Sequence, residues 1–465
     1  MKKSLIILFS IFLTSSILGD TYKKQSIGDF SGSDLTGVRF ENCHYGYGTS
    51  FASANLTGVC FYMEGEDSYF IRSDFTDAII NGATFSRIEF HSSQLKSTAS
   101  YKNKDLSGVK FGVKCSYMKN IDFSGFNLAN VYFNFDKTLN GSNTLTDFTG
   151  VNFTYANLIN ANFSYTKITS ADFTNAIITN ANLYTTSFSK EQLYSTRSYR
   201  DHNLSGITFY DLEDCNLEDQ NLQRAKLQSC SVVNTNFNNA DLRGASYNDT
   251  NSGITSAPPT YIRQAILKNT IMSDGVIKNV SLNSREDRLT IRKYTPATEG
   301  GEDIIAKISE ADVIIDNDAS IDFELGAQLK ITNGKSLTVE YGNLNIDTDL
   351  DSSTKMYVDN GAGFYVTDDT VVDVNIIDEI EEGESYLISI LEWSDGAIID
   401  ELLAQTVENA HIFLWINGKQ YTGEWDAQIN GNSFGIAFTA IPEPSTYAMI
   451  FGAIALAFVA YRRRK

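Results

Sequence analysis

A period of five residues runs through the middle of this chain. Large apolar residues recur at ten consecutive fifth positions: Phe148, Phe153, Leu158, Phe163, Ile168, Phe173, Ile178, Leu183, Phe188 and Leu193. A small residue stands two positions before most of these centres, and Asp or Asn commonly stands directly before them. Because five is neither the 3.6 of an α-helix nor the 2 of a flat strand, the chain must turn a corner in every quintet. Asp and Asn suit such corners, since they bond the local backbone and tolerate turn geometry.

The same step of five recurs in shorter blocks on both sides of this run. Phe30, Leu35 and Phe40 keep it near the start, and Leu212, Leu217 and Leu222 keep it later. The pattern resembles the pentapeptide-repeat family, with its consensus A-(D/N)-L-X-X, over residues 26–250. The resemblance implies a right-handed quadrilateral β-helix with four quintets to a coil and neighbouring coils about 4.8 Å apart. The fold class is therefore predicted to be all-β.

Two longer segments interrupt the quintets in a matching way. SSQLKSTASYKNKDLSGVKF at 92–111 and SKEQLYSTRSYRDHNLSGITF at 189–209 align at an offset of 98 residues. Ser189 followed by Gln192 forms a capping-box pattern, which predicts a short helical turn inserted in each half of the solenoid. We interpret the matched tyrosines and glutamines as packing that turn on the solenoid, with a binding site as the alternative.

The pattern changes after residues 251–264, where Pro258 and Pro259 indicate a linker. From 265 to 440 apolar residues alternate, as in Leu289 and Ile291, and turn sequences such as Asn-Gly separate the runs. Short strands bounded by such turns predict a second all-β domain. A parallel β-helix is favoured there over a sandwich.

Charge is divided unevenly along the chain, whose net charge is −20. Residues 1–250 carry 21 basic and 24 acidic residues, whereas residues 251–440 carry 12 and 32. The acidic surface therefore belongs to the second domain. A strongly acidic domain repels nucleic acid and favours water and divalent cations, so we expect no nucleic-acid partner.

The five cysteines raise the question of disulfides in an exported chain. Cys43, Cys215 and Cys230 occupy the small-residue position two before a centre. Free cysteine packs as a small hydrophobic residue, so we interpret these three as buried thiols, with disulfide pairing as the alternative.

Side chains typical of catalysis are sparse in this sequence. The four histidines, His44, His91, His202 and His411, have no partner at ligand spacing, which supports neither a zinc site nor a His-based triad. In DTDLDSS, Asp347, Asp349 and Asp351 begin like a calcium loop, but the sixth-position glycine is missing and Val358 occupies the place of the closing glutamate. These aspartates are weak calcium candidates, with solvated acids at a β edge as the alternative. We assign no catalytic residue and no cofactor.

The first residues have the layout of a secretory signal peptide. Lys2 and Lys3 precede an uncharged, mostly apolar run that ends before Gly19. This arrangement predicts a signal peptide at 1–19, with an uncleaved anchor as the alternative. Both interpretations carry the body of the protein out of the cytoplasm.

The last residues, 441–465, combine a polar motif, an apolar stretch and a basic end. The apolar stretch predicts a transmembrane helix at 446–461, with cations held on the cytoplasmic side, and a core helix is the alternative. The whole ending resembles the PEP-CTERM sorting signal, an ending also found on some ice-binding proteins. The polar and basic parts of the signal are Pro442, Glu443, Pro444, Arg462, Arg463 and Arg464.

The PEP-CTERM resemblance implies an exosortase-type protease as processing partner. It also implies that the protein is held in the inner membrane during sorting, cut near the polar motif, and passed to the cell surface or extracellular matrix. Exopolysaccharide and other surface proteins are the partners expected there.

These observations together predict an exported, non-enzymatic β-solenoid protein with a structural or adhesive role. One alternative is a polysaccharide-active enzyme, since β-helices carry lyases and an acid pair could lie among the carboxylates. Another is a DNA mimic that binds a topoisomerase, as the pentapeptide resemblance allows. The mimic requires a cytosolic, acidic solenoid, whereas residues 1–250 are nearly neutral and follow a signal peptide.

Overall fold

The computed structural model describes residues 21–23, 28–43, 49–62, 73–86, 90–112, 118–134, 146–247, 265–367, 369–381, 383–399 and 411–440. These residues divide into two compact units. Unit 1 comprises Met1–Cys215, Arg224–Thr235 and Ala245–Ala265, and unit 2 comprises Asn216–Gln223, Asn236–Gly244 and Ile266–Lys465.

Unit 1 is a stack of coils that repeat every four quintets. Asn157 pairs in parallel with Ile177, and Asn162 with Asn182, each 20 residues further along the chain. The strands are short, because every quintet turns a corner: β1 Thr21–Lys23, β2 Arg39–Glu41, β3 Cys60–Tyr62, β4 Thr84–Ser86, β5 Lys110–Phe111, β6 Thr146–Asp147, β7 Thr166–Lys167, β8 Thr208–Asp211 and β9 Lys226–Ser231. The 20-residue step confirms four quintets to a coil.

The core of unit 1 is filled by the two inward residues of each quintet. Phe153 at a centre and Ala156 at a small-residue position are both fully buried. Rings from neighbouring coils stack on one another, with 5.0 Å between the centroids of Phe153 and Phe173. Such offset stacks add to the burial of aromatic surface. The predicted inward pair of one large and one small residue is therefore confirmed.

The corners of unit 1 lie two residues after each centre. There the backbone is left-handed at non-glycine residues, with φ 58° at Tyr155 and 59° at Asn160. The Asn or Asp before the centre has a different role, since Asn152 Oδ1 accepts a hydrogen bond of 3.0 Å from the Thr154 amide. The expected local bond is confirmed, but the expected turn geometry at that residue is wrong. The left-handed backbone falls three residues later.

Among the residues of unit 1 that the structure describes, four short helices are inserted in the coils, two in each of the matching segments. They are α1 Ser92–Ser97, α2 Ala99–Lys102, α3 Lys190–Ser195 and α4 Arg197–Arg200. The Ser189 and Gln192 capping box is present at the start of α3. Gln192 Nε2 also donates to the carbonyls of Ile168 and Ala171, at 3.0 and 2.8 Å, which anchors α3 to the preceding coil. The helical insertions and their packing role are confirmed.

Unit 2 contains three parallel sheets, and consecutive strands of the chain join the three sheets in turn. The first sheet contains β12, β15, β18, β21 and β24, the second β13, β16, β19 and β22, and the third β14, β17, β20 and β23. Within each set every neighbouring pair is parallel. This is the topology of a parallel β-helix and not of a sandwich.

The strands of unit 2 are as follows: β10 Thr270–Ile271, β11 Ile277–Lys278, β12 Arg288–Ile291, β13 Ala306–Ile308, β14 Val313–Ile315, β15 Ala319–Phe323, β16 Gln328–Ile331, β17 Ser336–Val339, β18 Gly342–Thr348, β19 Lys355–Val358, β20 Gly363–Val366, β21 Val371–Ile376, β22 Ser385–Trp393, β23 Ile398–Ile399, β24 His411–Ile416, β25 Lys419–Gln420, β26 Trp425–Asn430 and β27 Ser433–Thr439. The last strands change direction, because β27 pairs antiparallel with both β22 and β26, and β25 with β24. Alternate residues such as Ile321 and Phe323 face the core.

The predicted ends and linker of the chain lie outside the described residues. These are the signal peptide at 1–19, the linker at 251–264, and the tail at 441–465 with its predicted span at 446–461. Among the residues that the structure describes, no helix combines the length and apolar character that a membrane crossing requires. The three segments stay predictions.

The different roles of the buried centre and the exposed corner of a quintet are testable by a matched pair of substitutions. Phe153→Ala removes a fully buried ring and should lower the free energy of unfolding by about 3–5 kcal/mol. Tyr155→Asn, two residues on, changes a side chain that is 70% exposed at a left-handed corner that Asn adopts readily, and should cost less than about 0.5 kcal/mol. Denaturant unfolding of both variants measures the difference, and equal losses would contradict the assignment of centre and corner.

Candidate binding surface

Two of the three predicted calcium candidates accept local hydrogen bonds. Asp347 Oδ1 accepts from Asn375 Nδ2 at 2.9 Å, and Asp349 Oδ1 accepts from the Ser353 amide at 2.9 Å. Asp351 is exposed. Within the described ranges no group of three or more His, Cys, Asp or Glu side chains is placed to hold a metal ion. Asp347 and Asp349 thus take part in strand and loop hydrogen bonds, and calcium binding by the three aspartates stays a prediction.

The histidines are also dispersed. His91 precedes α1, and its amide donates to Gln94 Oε1 at 3.0 Å. His202 follows α4 at a left-handed position, with φ 53°. His411 begins β24, and His44 lies outside the described residues. The structure does not bring His91 and His202 together with a further ligand.

Four cysteines are described, and all four are free thiols: Cys43, Cys60, Cys215 and Cys230. Cys43 and Cys215 are buried, as predicted, whereas Cys230 is partly exposed. Burial raises the pKa of Cys215 to about 11, and burial likewise raises the pKa of Cys230. A raised pKa keeps a thiol neutral near pH 7, so both thiols are held as unreactive groups.

A buried ion pair in unit 2 was missed by the sequence reasoning. Arg243 is 1% exposed, and its Nη2 donates to Asp241 Oδ2 at 2.6 Å and to the Arg292 carbonyl at 2.5 Å. Its Nη1 donates to the Ile304 carbonyl at 3.1 Å. A buried charge requires such partners, and these bonds fix two loop segments to the coil that carries Arg243. The available signal was an Arg directly after the centre Leu242, where Ser or Thr is usual.

One outward side of unit 1 forms an unbroken row of paired residues. Each member pairs in parallel with the next: Arg39, Cys60, Thr84, Lys110, Tyr132, Asn162, Asn182, Thr208, Lys226 and Ser246. All except Thr208 are at least partly exposed. The row contains three cations and no carboxylate.

Tyrosines flank this row along its length. Arg39 lies over the Tyr62 ring, 5.0 Å from its centroid, and Lys110 Nζ lies 5.5 Å from the Tyr132 centroid. Further along, three rings on consecutive coils make edge-to-face contacts, with 5.8 and 5.7 Å between neighbouring centroids, namely Tyr165, Tyr184 and Tyr210. We call the row together with Tyr62, Tyr165, Tyr184 and Tyr210 the tyrosine face.

Other outward rows of unit 1 differ in charge. One row passes through Asp122, Asn152 and Asp172, and another through Asp105, Asn127 and Asn157. In these rows the residue before the centre keeps the Asp or Asn of the repeat. On the tyrosine face, by contrast, cations and an aromatic ring occupy several of the positions before the centre.

Comparison with known proteins agrees with the coil architecture. The Pentapeptide repeats family matches in 8 copies, over residues 146–189 and 221–251. This confirms the pentapeptide repeats that the sequence predicted, over part of the predicted range. The comparison with curated proteins finds no match.

Two of the solved structures that match this chain are QnrB1 and HetL. QnrB1, a plasmid-mediated fluoroquinolone resistance protein, is 14% identical with a TM-score of 0.15, over 56% of this chain and 92% of QnrB1. HetL, a pentapeptide repeat protein involved in heterocyst differentiation regulation from the cyanobacterium Nostoc sp. strain PCC 7120, is 16% identical with a TM-score of 0.13, over 56% of this chain and 91% of HetL. Similarity at this level carries no argument about fold or function.

The raised thiol pKa values predict a loss of stability in alkali. Between the usual thiol pKa of 9.0 and about 11, the unfolded chain loses the Cys215 proton while the folded chain keeps it. The free energy of unfolding should therefore fall as pH rises through this window. Thermal unfolding from pH 8 to 11 should show a shallower fall for Cys215→Ala/Cys230→Ala than for the parent chain. Identical slopes would contradict the burial of neutral thiols.

Proposed function

We propose that this chain is an exported, non-enzymatic β-solenoid protein with a structural or adhesive role at the cell surface or in the extracellular matrix. The observation that carries the proposal is the use of polar side chains to bond successive coils. Asn157 Nδ2 donates to Asn127 Oδ1 at 3.2 Å, and Asn160 Nδ2 to Asn130 Oδ1 at 3.0 Å. Amides in these ladders reinforce the backbone pairing, which suits a rigid scaffold.

Unit 2 uses its acidic side chains in a similar way. Asn345 Nδ2 donates to Asp322 Oδ1 at 2.6 Å, and Trp415 Nε1 donates to Asp373 Oδ1 at 2.8 Å. These carboxylates therefore add side-chain hydrogen bonds between neighbouring parallel strands. Such bonds suit a scaffold, whereas the alternative, a polysaccharide-active enzyme, requires a further acid pair flanking a sugar.

Export and sorting rest on the two ends of the chain. The predicted signal peptide at 1–19 directs the protein out of the cytoplasm. The tail at 441–465 then holds it in the inner membrane until an exosortase-type protease cuts near Pro442. The DNA-mimic alternative is disfavoured by the cationic row of the tyrosine face, because a mimic of DNA presents acids.

Mass spectrometry of the protein from separated cell fractions tests this proposal. We expect the mature form to begin near Asp20, to lack residues 442–465, and to occur in the surface or matrix fraction. A variant with Arg462→Gln, Arg463→Gln and Arg464→Gln serves as control, because loss of the basic end should leave unprocessed protein in the membrane fraction. Intact protein confined to the cytoplasm would overturn both export and sorting.

A further inference from the structure

We propose that the tyrosine face of unit 1 binds an extended anionic polysaccharide. The inference rests on the proposed function for its setting, since a surface or matrix protein meets such polymers, but its physical basis is separate. It depends on the charge, the aromatic rings and the length of this one side of the solenoid.

Charge selects an anionic partner for this side. Most of the net charge of −20 belongs to residues 251–440, so a polyanion is repelled chiefly by that part of the chain. The row of the tyrosine face carries Arg39, Lys110 and Lys226 and no carboxylate. Glu41, beside the row, is paired with Arg39 at 3.6 Å. The row therefore offers three cations to a carboxylated polymer along one side of unit 1.

The exposed aromatic rings favour a sugar polymer over a small inorganic anion as the ligand of this face. Tyr132 is 37% exposed and Tyr210 is 45% exposed, so both present ring surface to solvent. The electron-rich face of an aromatic ring attracts groups of partial positive charge, such as the C–H groups on one face of a pyranose, and the phenol hydroxyl forms hydrogen bonds with water or sugar hydroxyls. Asn162 and Asn182 lie in the same row; their Oδ1 atoms accept from the Ser164 and Tyr184 amides, so their side-chain amides would serve a sugar as donors.

The length of the face favours a polymer over a compact ligand. Ten residues from Arg39 to Ser246 form one row that is joined by nine successive pairings. At the strand spacing of about 4.8 Å, the row extends for roughly 40 Å. Ring centroids on consecutive coils lie 5.8 and 5.7 Å apart, close to this spacing, at Tyr165, Tyr184 and Tyr210. An extended chain lying along the row would contact a ring or a cation on most coils.

Affinity electrophoresis of the full-length chain tests the inference, with sodium alginate as the carboxylated probe and dextran as the neutral one. We expect retardation by alginate and not by dextran, with the retardation weakened by added salt as charges are screened. Tyr210→Ser should weaken the alginate interaction several-fold, because one contact between a ring face and the sugar is lost. Lys226→Gln should weaken it several-fold.

Two matched variants control for non-specific effects. Tyr155→Ser removes a more exposed tyrosine away from the face, and Lys102→Gln removes a 49% exposed lysine from α2. Both should bind alginate as the parent chain does. Thermal unfolding of all four variants verifies that each is folded.

Several results would overturn the inference. These are no retardation by alginate, equal retardation by dextran, or equal losses in the face variants and their controls. Tighter binding of double-stranded DNA would replace the polysaccharide with nucleic acid, and self-association that Tyr210→Ser abolishes would make the face an interface between copies. Alginate binding is measured in vitro, so it can fail while export is confirmed, or hold while export fails.

Discussion

Backbone hydrogen bonding between successive coils is the constraint on which both units depend. In unit 1 the Phe153 amide donates to the Asp172 carbonyl at 2.8 Å, and the same bond recurs coil after coil. In unit 2 the parallel strands of three sheets do the same, with Ala319 paired to Gly342. Because the register fixes which side chains point inward, it also decides which ones meet in rows on the surface. The ladders of Asn and the tyrosine face are consequences of that register.

Much of the fold could be predicted from the sequence, because burial imposes a regular period. The centres such as Phe163, the capping box at Ser189 and the parallel β-helix of unit 2 follow from local patterns of apolar, turn and capping residues. The position of the left-handed corner within the quintet could not be predicted from these local patterns. Asn and Asp occur both before the centre and two residues after it, and the sequence alone does not separate a side chain that bonds the backbone from one that adopts positive φ.

The candidate surface could not be predicted, because the coils differ in length. Arg39 pairs with Cys60 after 21 residues, whereas Thr84 pairs with Lys110 after 26 and Thr208 with Lys226 after 18. Only the structure shows that insertions leave these residues in one row. Arg243 was missed for a related reason, since its partners, the carbonyls of Arg292 and Ile304, lie far away along the chain. Both the tyrosine face and the partners of Arg243 depend on contacts between residues far apart along the chain, which residue type alone does not reveal.

The most direct test of this account is a disulfide cross-link between neighbouring coils, in a chain whose five native cysteines are replaced by alanine. Asn162→Cys with Asn182→Cys joins positions that pair across one coil, and paired strands bring Cα atoms within the range of about 4.4–6.8 Å that a disulfide requires. Asn162→Cys with Ile177→Cys is the matched control, because Ile177 pairs with Asn157 on a different side. Mass spectrometry after mild oxidation should detect the first cross-link and not the second. The reverse result would contradict the four-quintet coil and the surface built on it.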